Sequence, residues 1–213
     1  MKSLFTEQEL DNMLTERHGK EVMDKLKTAR VAIAGLGGLG SHIGIFLARV
    51  GVGTFHLIDF DQVEGTNIHR QNYGLEDIGK NKTEALKEEI LRINPYAAVI
   101  TTNQKITREN IGEVFKEETH ICEAFDRAEA KAMLIEELLT LRSDSVIVAG
   151  SGMAGISSGN QIVTTQKLKR LYLCGDEVNG VEECGSFFAT RVAICAGHQA
   201  HMMLRLLLGK EDK

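Results

Sequence analysis

The chain has 213 residues, of which 26% are charged and 43% hydrophobic, enough for one substantial core in a soluble domain. Its net charge of −5 argues against a dedicated binder of nucleic acid or of an anionic membrane, since neither is drawn to an acidic surface. No apolar run is long enough to span a bilayer, and the N-terminal MKSLFTEQELDNML lacks the apolar core of a signal peptide. Cys122, Cys174, Cys184 and Cys195 show neither disulfide-dense spacing nor C-x-x-C. Free thiols in a reducing cytosol, and so a cytoplasmic protein, are the expectation.

Residues 1–28 are polar with scattered leucines and predict one or two helices. Arg30 to Ala34 is a β-branched run ending in glycines, hence a buried strand. Gly35 to Gly40 reads GLGGLG and leads into an apolar helix from Ser41 to Val50. A second strand, Thr54 to Ile58, ends at Asp59; a polar, ordered loop region follows from Asp61 to Gly79. Lys82 to Asn94 carries Leu86, Ile90 and Ile93 on one helical stripe, and Pro95 stops it. Next come a strand near Ala97–Thr101, a short helix near Arg108–Lys116, a strand from His120 to Phe125, a helix from Arg127 to Leu141 and a strand from Ser145 to Ala149. Alternating strands and helices imply a parallel sheet with right-handed crossovers. The pattern then changes. Asn160–Thr165 and Lys169–Cys174 predict shorter strands in an antiparallel extension, Gly175 to Gly185 a loop, and Arg191 to Leu208 a long, largely apolar helix at the core or at a subunit interface. The fold class is α/β, a Rossmann-like and mostly parallel sheet with an antiparallel C-terminal extension.

Gly35, Gly37 and Gly40 form G-x-G-x-x-G between a strand and a helix, with Gly38 inside the same turn. Such a loop lets backbone approach a phosphate, and the helix start offers free N–H groups. Asp59, on the next strand, is placed for ribose hydroxyls. The fingerprint alone leaves NAD and ATP open. Arg70 offers a planar fork for phosphate oxygens and Lys82 a mobile charge, and two cations suit a triphosphate. Asp126, at the carboxyl end of a strand, fits either a Mg²⁺ ligand or a helix N-cap. His198 and His201, at i and i+3, read as core or interface residues rather than a metal pair.

The segments GLGGLGS, DFDQVEGTNIHRQNY, IGKNK, RINP, EAFDRAEAK and GHQA together resemble the ThiF/MoeB/ubiquitin-activating superfamily over nearly the whole chain, and most closely compact ThiF adenylyltransferases. The resemblance implies an enzyme, an ATP- and Mg²⁺-dependent adenylyltransferase. It divides the chain into an N-terminal helical segment, 1–28, and an ATP-binding domain, 29–213, within a single domain overall. Asp59, with Asp61, would bind the nucleotide; Asn67, Arg70, Gln71 and Lys82 would bind and polarise the phosphates; Asp126 would place Mg²⁺. The implied partner is a small ubiquitin-like sulfur carrier with a Gly-Gly C-terminus, ThiS-like, for thiamine thiazole biosynthesis. A homodimer is implied too, with Arg17 reaching in trans. The zinc-binding C-x-x-C pairs of many members are missing, so no zinc site is expected. Cys184, in VEECGSFF, is a candidate thiol for sulfur chemistry or a plain loop cysteine. The competing readings are a MoaD-like carrier, a tRNA-modifying relative, an NAD-dependent oxidoreductase and a non-catalytic partner subunit.

Overall fold

The computed structural model describes residues 4–210. Residues 1–3 and 211–213, the two ends of the expected segments, lie outside the described residues. Strands β1 (Arg30–Ala34), β2 (Thr54–Asp59), β3 (Ala98–Asn103), β4 (His120–Glu123), β5 (Val146–Gly150), β6 (Val163–Leu168) and β7 (Leu171–Gly175) form one sheet in the order β3-β2-β1-β4-β5-β7-β6. Every neighbouring pair is parallel except β6 with β7. The antiparallel extension is therefore one edge strand: a two-residue turn forces β7 back along β6, and β7 then joins β5 in parallel.

Successive residues of the central strands enter two different buried layers, following the pleat. Val31 and Ile33 of β1 and Phe55 and Leu57 of β2 pack with α3 (Gly38–Arg49), α4 (Lys82–Ile93) and α8 (Ala189–Leu207). Ala32 and Ala34 turn to the other face, toward α5 (Ile111–Val114) and α6 (Ala128–Leu141). The N-terminal segment forms two helices, α1 (Glu7–His18) and α2 (Lys20–Thr28), separated at Gly19. Met23 and Leu26 of α2 join the first core layer, and Leu14 of α1 packs beside Gly51, ahead of β2.

Some boundaries move. The strand expected from Asn160 starts at Val163, because residues Gly159–Gln161 form a 3-10 turn in which the Asn160 N–H donates to the Ser158 hydroxyl oxygen. The loop expected over Gly175–Gly185 holds one helical turn, α7 (Val181–Cys184). Among the described residues no helix is long and apolar enough to cross a membrane.

Because β1 has β2 on one side and β4 on the other, the crossovers leaving these strands run to opposite sides. That opens a crevice at their carboxyl ends, where ligands bind in such sheets.

Candidate nucleotide site

The loop from β1 to α3 lies in that crevice, and its glycines differ in what confines them. Gly35 has φ +89°, and a Cβ there would lie 2.7 Å from the Ala124 carbonyl oxygen at the end of β4. A Cβ on Gly40 would lie 1.9 Å from the Gly35 carbonyl oxygen, so helix and strand could not close up. Gly37 faces open space: its Cβ would meet only Gln71 Nε2, at 3.7 Å. No side chain caps α3 at Gly37, which leaves first-turn N–H groups for a ligand.

Asp59 closes β2 and is buried. Its Oδ2 accepts from Leu36 N at 2.6 Å, and its Oδ1 from Phe60 N at 2.7 Å and Asp61 N at 2.9 Å. The residue expected to hold ribose thus also staples the glycine loop to β2. Burial pushes its carboxyl above the ordinary range, against the Asp61 and Leu36 N–H groups and the Lys82 charge. The buried Tyr73 hydroxyl donates to the Leu36 carbonyl at 2.7 Å and fixes the loop from the other side.

The polar residues after β2 fold back on this loop. Lys82, at the first position of α4, donates to Asp61 Oδ2 at 3.0 Å, and its own N–H bonds the Asp61 carbonyl at 3.0 Å. Gln71 is buried, and its Oε1 has no hydrogen-bond partner among the described residues. Asn67 Oδ1 accepts from Glu64 N at 3.2 Å and so closes the turn that leads to Arg70. The Arg70 stem passes Gly38, where a Cβ would lie 3.8 Å from Arg70 Cγ, and its guanidinium sits 5.8 Å from the centre of the Phe187 ring. Asp126 is exposed in the turn after β4, two residues beyond Ala124. The N-cap of α6 is Arg127, without a side-chain cap, so the N-cap role weighed for Asp126 is not its role.

Two expected residues lie elsewhere. Arg17 is exposed on α1, whose packing beside Gly51 puts it at the opposite edge of the sheet from the glycine loop. Cys184 ends α7; its thiol donates to Asn179 Oδ1 at 3.3 Å and lies 3.2 Å from where a Cβ on Gly155 would sit. His198 bonds Thr164 Oγ1 at 3.0 Å. No group of three or more metal-binding side chains occurs among the described residues.

Sequence reading missed several supports. Gln199 donates to the carbonyls of Glu123 and Val148 at 3.0 and 3.2 Å and ties the ends of β4 and β5 together. Glu123 is fully buried against Lys131, and burial raises its carboxyl. Arg191 of α8 bonds Asp176 and the Ser157 and Ser158 carbonyls. Gln199 and Glu123 lie in segments singled out for their wording; Arg191 and Asp176 carry no local signal, since only the fold brings them together.

A glycine loop at the switch point of a parallel sheet, with an acid and two cations beside it, is an arrangement that nucleotide-binding α/β proteins share. The ThiF family model matches residues 10–213, and the chain belongs to the ThiF family. It is 31% identical over 156 residues to the tRNA threonylcarbamoyladenosine dehydratase of Escherichia coli, covering 72% of this chain and 58% of that protein. Against the probable adenylyltransferase/sulfurtransferase MoeZ of Mycobacterium tuberculosis it is 31% identical over 133 residues, 62% of this chain and 32% of that one. The chain thus spans about a third to somewhat over half of these relatives. The crystal structure of the E. coli dehydratase with AMP superposes with a TM-score of 0.85 at 22% identity, over 98% of this chain and 99% of that one.

Proposed function

We propose that the protein is an ATP-dependent adenylyltransferase that activates a carboxylate, the C-terminal Gly-Gly carboxylate of a small ubiquitin-like, ThiS-like sulfur carrier. The observation that carries the reading is the open backbone at Gly37. It faces the side-chain amide nitrogen of the buried Gln71, 3.7 Å from where a Gly37 Cβ would sit and free to donate to a phosphate oxygen, and Arg70 and Lys82 are held beside the loop. Solved complexes of the E. coli relative with AMP and with ATP support a nucleotide there.

Attack of a carboxylate on the α-phosphate of ATP joins two anions, so charge neutralisation and positioning must lower the barrier. Asp59 orients the ribose, the α3 N–H groups and Gln71 hold phosphate oxygens, and Arg70 neutralises them. Lys82 trades Asp61 for a phosphate as the pyrophosphate charge develops. Asp126, exposed and without a hydrogen bond or ion pair among the described residues, is the carboxylate that would hold Mg²⁺. When bound, the ion supplies charge neutralisation of the leaving pyrophosphate.

We extend the proposal to a cytoplasmic homodimer. Edge strand β6 exposes Val163 and Leu168, and α8 exposes Ile194; Arg17, exposed on α1, would serve the site of the other subunit.

A second reading, adenylation of a carboxylate borne by tRNA, draws support from the 72% coverage of this chain by the E. coli dehydratase. ATP–pyrophosphate exchange separates the two. Gly-Gly carrier proteins and bulk tRNA are tested separately, and exchange driven only by tRNA overturns the carrier reading. Calorimetric titration with Mg-ATP and with NAD tests the shared premise; tighter binding of NAD sinks both.

A further inference from the structure

We infer that Phe187 is a positioning residue for Arg70, holding its guanidinium ready for phosphate from the segment between α7 and α8. The inference rests on the reading that Arg70 binds ATP.

Arg70 is unlike the other basic groups of the site. Lys82 is tied to a carboxylate, whereas no acidic side chain pairs with Arg70 among the described residues. Its side-chain hydrogen bond, to the Thr66 carbonyl, is long at 3.5 Å. What lies against the guanidinium is the Phe187 ring, 5.8 Å from carbon to ring centre. An aromatic face attracts a cation without consuming its N–H donors. The fork stays available in its own plane, where phosphate oxygens bind it two at a time. A carboxylate in the same place would have to be displaced first.

The ring is itself firmly held. Phe187 packs against the core layer that contains α3 and α8. The Ser186 carbonyl before it accepts from Gly155 N at 2.9 Å. After it, the buried Arg191 reaches Ser157, Ser158 and Asp176. Asp176 Oδ1 in turn accepts from Val178 N at 3.0 Å and Asn179 N at 2.9 Å, and Asn179 Oδ1 from the Cys184 thiol at 3.3 Å. The segments following β5 and β7 are thereby knitted into one unit. A Cβ on Gly38 would lie 3.0 Å from Val192 Cγ1 and 3.8 Å from Arg70 Cγ, so its absence lets α8 close on the Arg70 stem. Arg70 comes from the loop after β2 and Phe187 from the far side of the crevice; their contact bridges the two walls.

The test is a double-mutant cycle on Mg-ATP affinity, measured by calorimetry on the full chain with melting temperatures alongside. Phe187→Leu is expected to weaken Mg-ATP binding about three- to thirtyfold. Phe187→Tyr, which keeps the ring, should restore affinity to within about twofold of wild type. In an Arg70→Ala background Phe187→Leu should change affinity less than about twofold, because its partner is gone. A purely structural role moves affinity by the same factor in both backgrounds and is not rescued by Tyr; that result, or unchanged affinity in Phe187→Leu, overturns the inference. If Phe187→Leu does not fold, Phe187→Met, unbranched and better able to fill an irregular gap, enters the same cycle. Wild-type affinity in Arg70→Ala overturns the phosphate role of Arg70, a failure the cycle shows separately.

Discussion

Lys82 holds its ammonium 3.0 Å from Asp61 while only 8% of its side chain is open to solvent. A lysine at the first turn of a helix is poorly placed for the helix dipole, so the local sequence does not favour it there. Asp61 offsets this by pairing with both the side chain and the backbone N–H of Lys82. Replacing Lys82 by Ala should lower ATP–pyrophosphate exchange by about 10²–10³, the usual loss for one charge-stabilising group. Lys82→Arg should not recover it, since a planar fork cannot fill the position of a compact ammonium. Exchange within tenfold of wild type in Lys82→Ala would return Lys82 to an ordinary structural ion pair.

Asp126 makes the opposite case. It is exposed, and the N-cap position of α6 is Arg127, without a side-chain cap, so Asp126→Ala should leave stability within about 0.5 kcal/mol, as at other surface sites. Exchange should nevertheless fall by about 10²–10³. Melting temperature and exchange rate measured on one preparation decide it. A lowered melting temperature with near-normal exchange removes Asp126 from the site.

Cys184 should be dispensable for adenylate formation. Its thiol is engaged with Asn179 and packs on Gly155, and neither ATP nor a carboxylate needs a thiol to react. Cys184→Ala is expected to keep exchange near the wild-type rate. A loss beyond about tenfold, about 1.4 kcal/mol of barrier, in a folded variant would give the thiol a role in the step.

Much of this site was legible in the sequence because its residues sit next to strand ends that hydrophobic patterning locates. Gly35, Asp59 and Asp126 each follow a short β-branched or apolar run, and a parallel sheet gathers such positions at one edge. The glycine-loop roles were only half legible. That Gly40 serves helix–strand closure while Gly37 leaves open backbone depends on distances across the fold. Asp59's hold on Leu36 was hidden for the same reason: 23 residues separate them. The ring beside Arg70 was out of reach of sequence reading altogether, since Phe187 lies in a loop with no period and no motif that points to its partner.

Away from the nucleotide site, Glu118 is buried among Arg30, His56 and, through His56, Thr102. It accepts from Arg30 at 2.6 Å and bonds His56 Nδ1 at 2.7 Å, while Glu117 pairs with Arg30 from outside. Burial pushes the Glu118 carboxyl up, but the bonds from His56 and Arg30 outweigh it and hold the carboxyl below its ordinary value of 4.5. The unfolded chain therefore takes up the proton first as the pH falls. Stability from this group is fully present above about pH 4.5 and is lost as the pH drops through the folded value. Glu118→Gln should cost about 1–3 kcal/mol at neutral pH, where it weakens hydrogen bonds to a charged acceptor. It should also flatten the acid limb of stability. Urea unfolding at a series of pH values checks both; an unchanged acid limb would assign acid sensitivity to other carboxylates.

The two outer readings of the glycine loop, packing turn or phosphate cradle, separate in a pair of single-methyl substitutions. Gly40→Ala would put a carbon 1.9 Å from the Gly35 carbonyl oxygen, an overlap that backbone must move to relieve. Overpacking of this kind costs about 1–3 kcal/mol or more, so Gly40→Ala should unfold at a clearly lower temperature whatever the loop binds. Gly37→Ala meets only the Gln71 amide nitrogen, at 3.7 Å, an ordinary contact distance; its φ of −77° suits alanine, while its ψ of −141° lies outside the usual alanine regions. Its fold should survive with a smaller loss of melting temperature than Gly40→Ala, since it carries backbone strain but no overlap. Its methyl group, however, stands where phosphate oxygens must approach the α3 N–H groups, so Mg-ATP affinity should fall by about tenfold or more, the loss of at least one charge-assisted hydrogen bond. Calorimetry with Mg-ATP beside a thermal melt reads both quantities. Stable Gly37→Ala that binds Mg-ATP as well as wild type would make the loop a packing turn and place the nucleotide elsewhere.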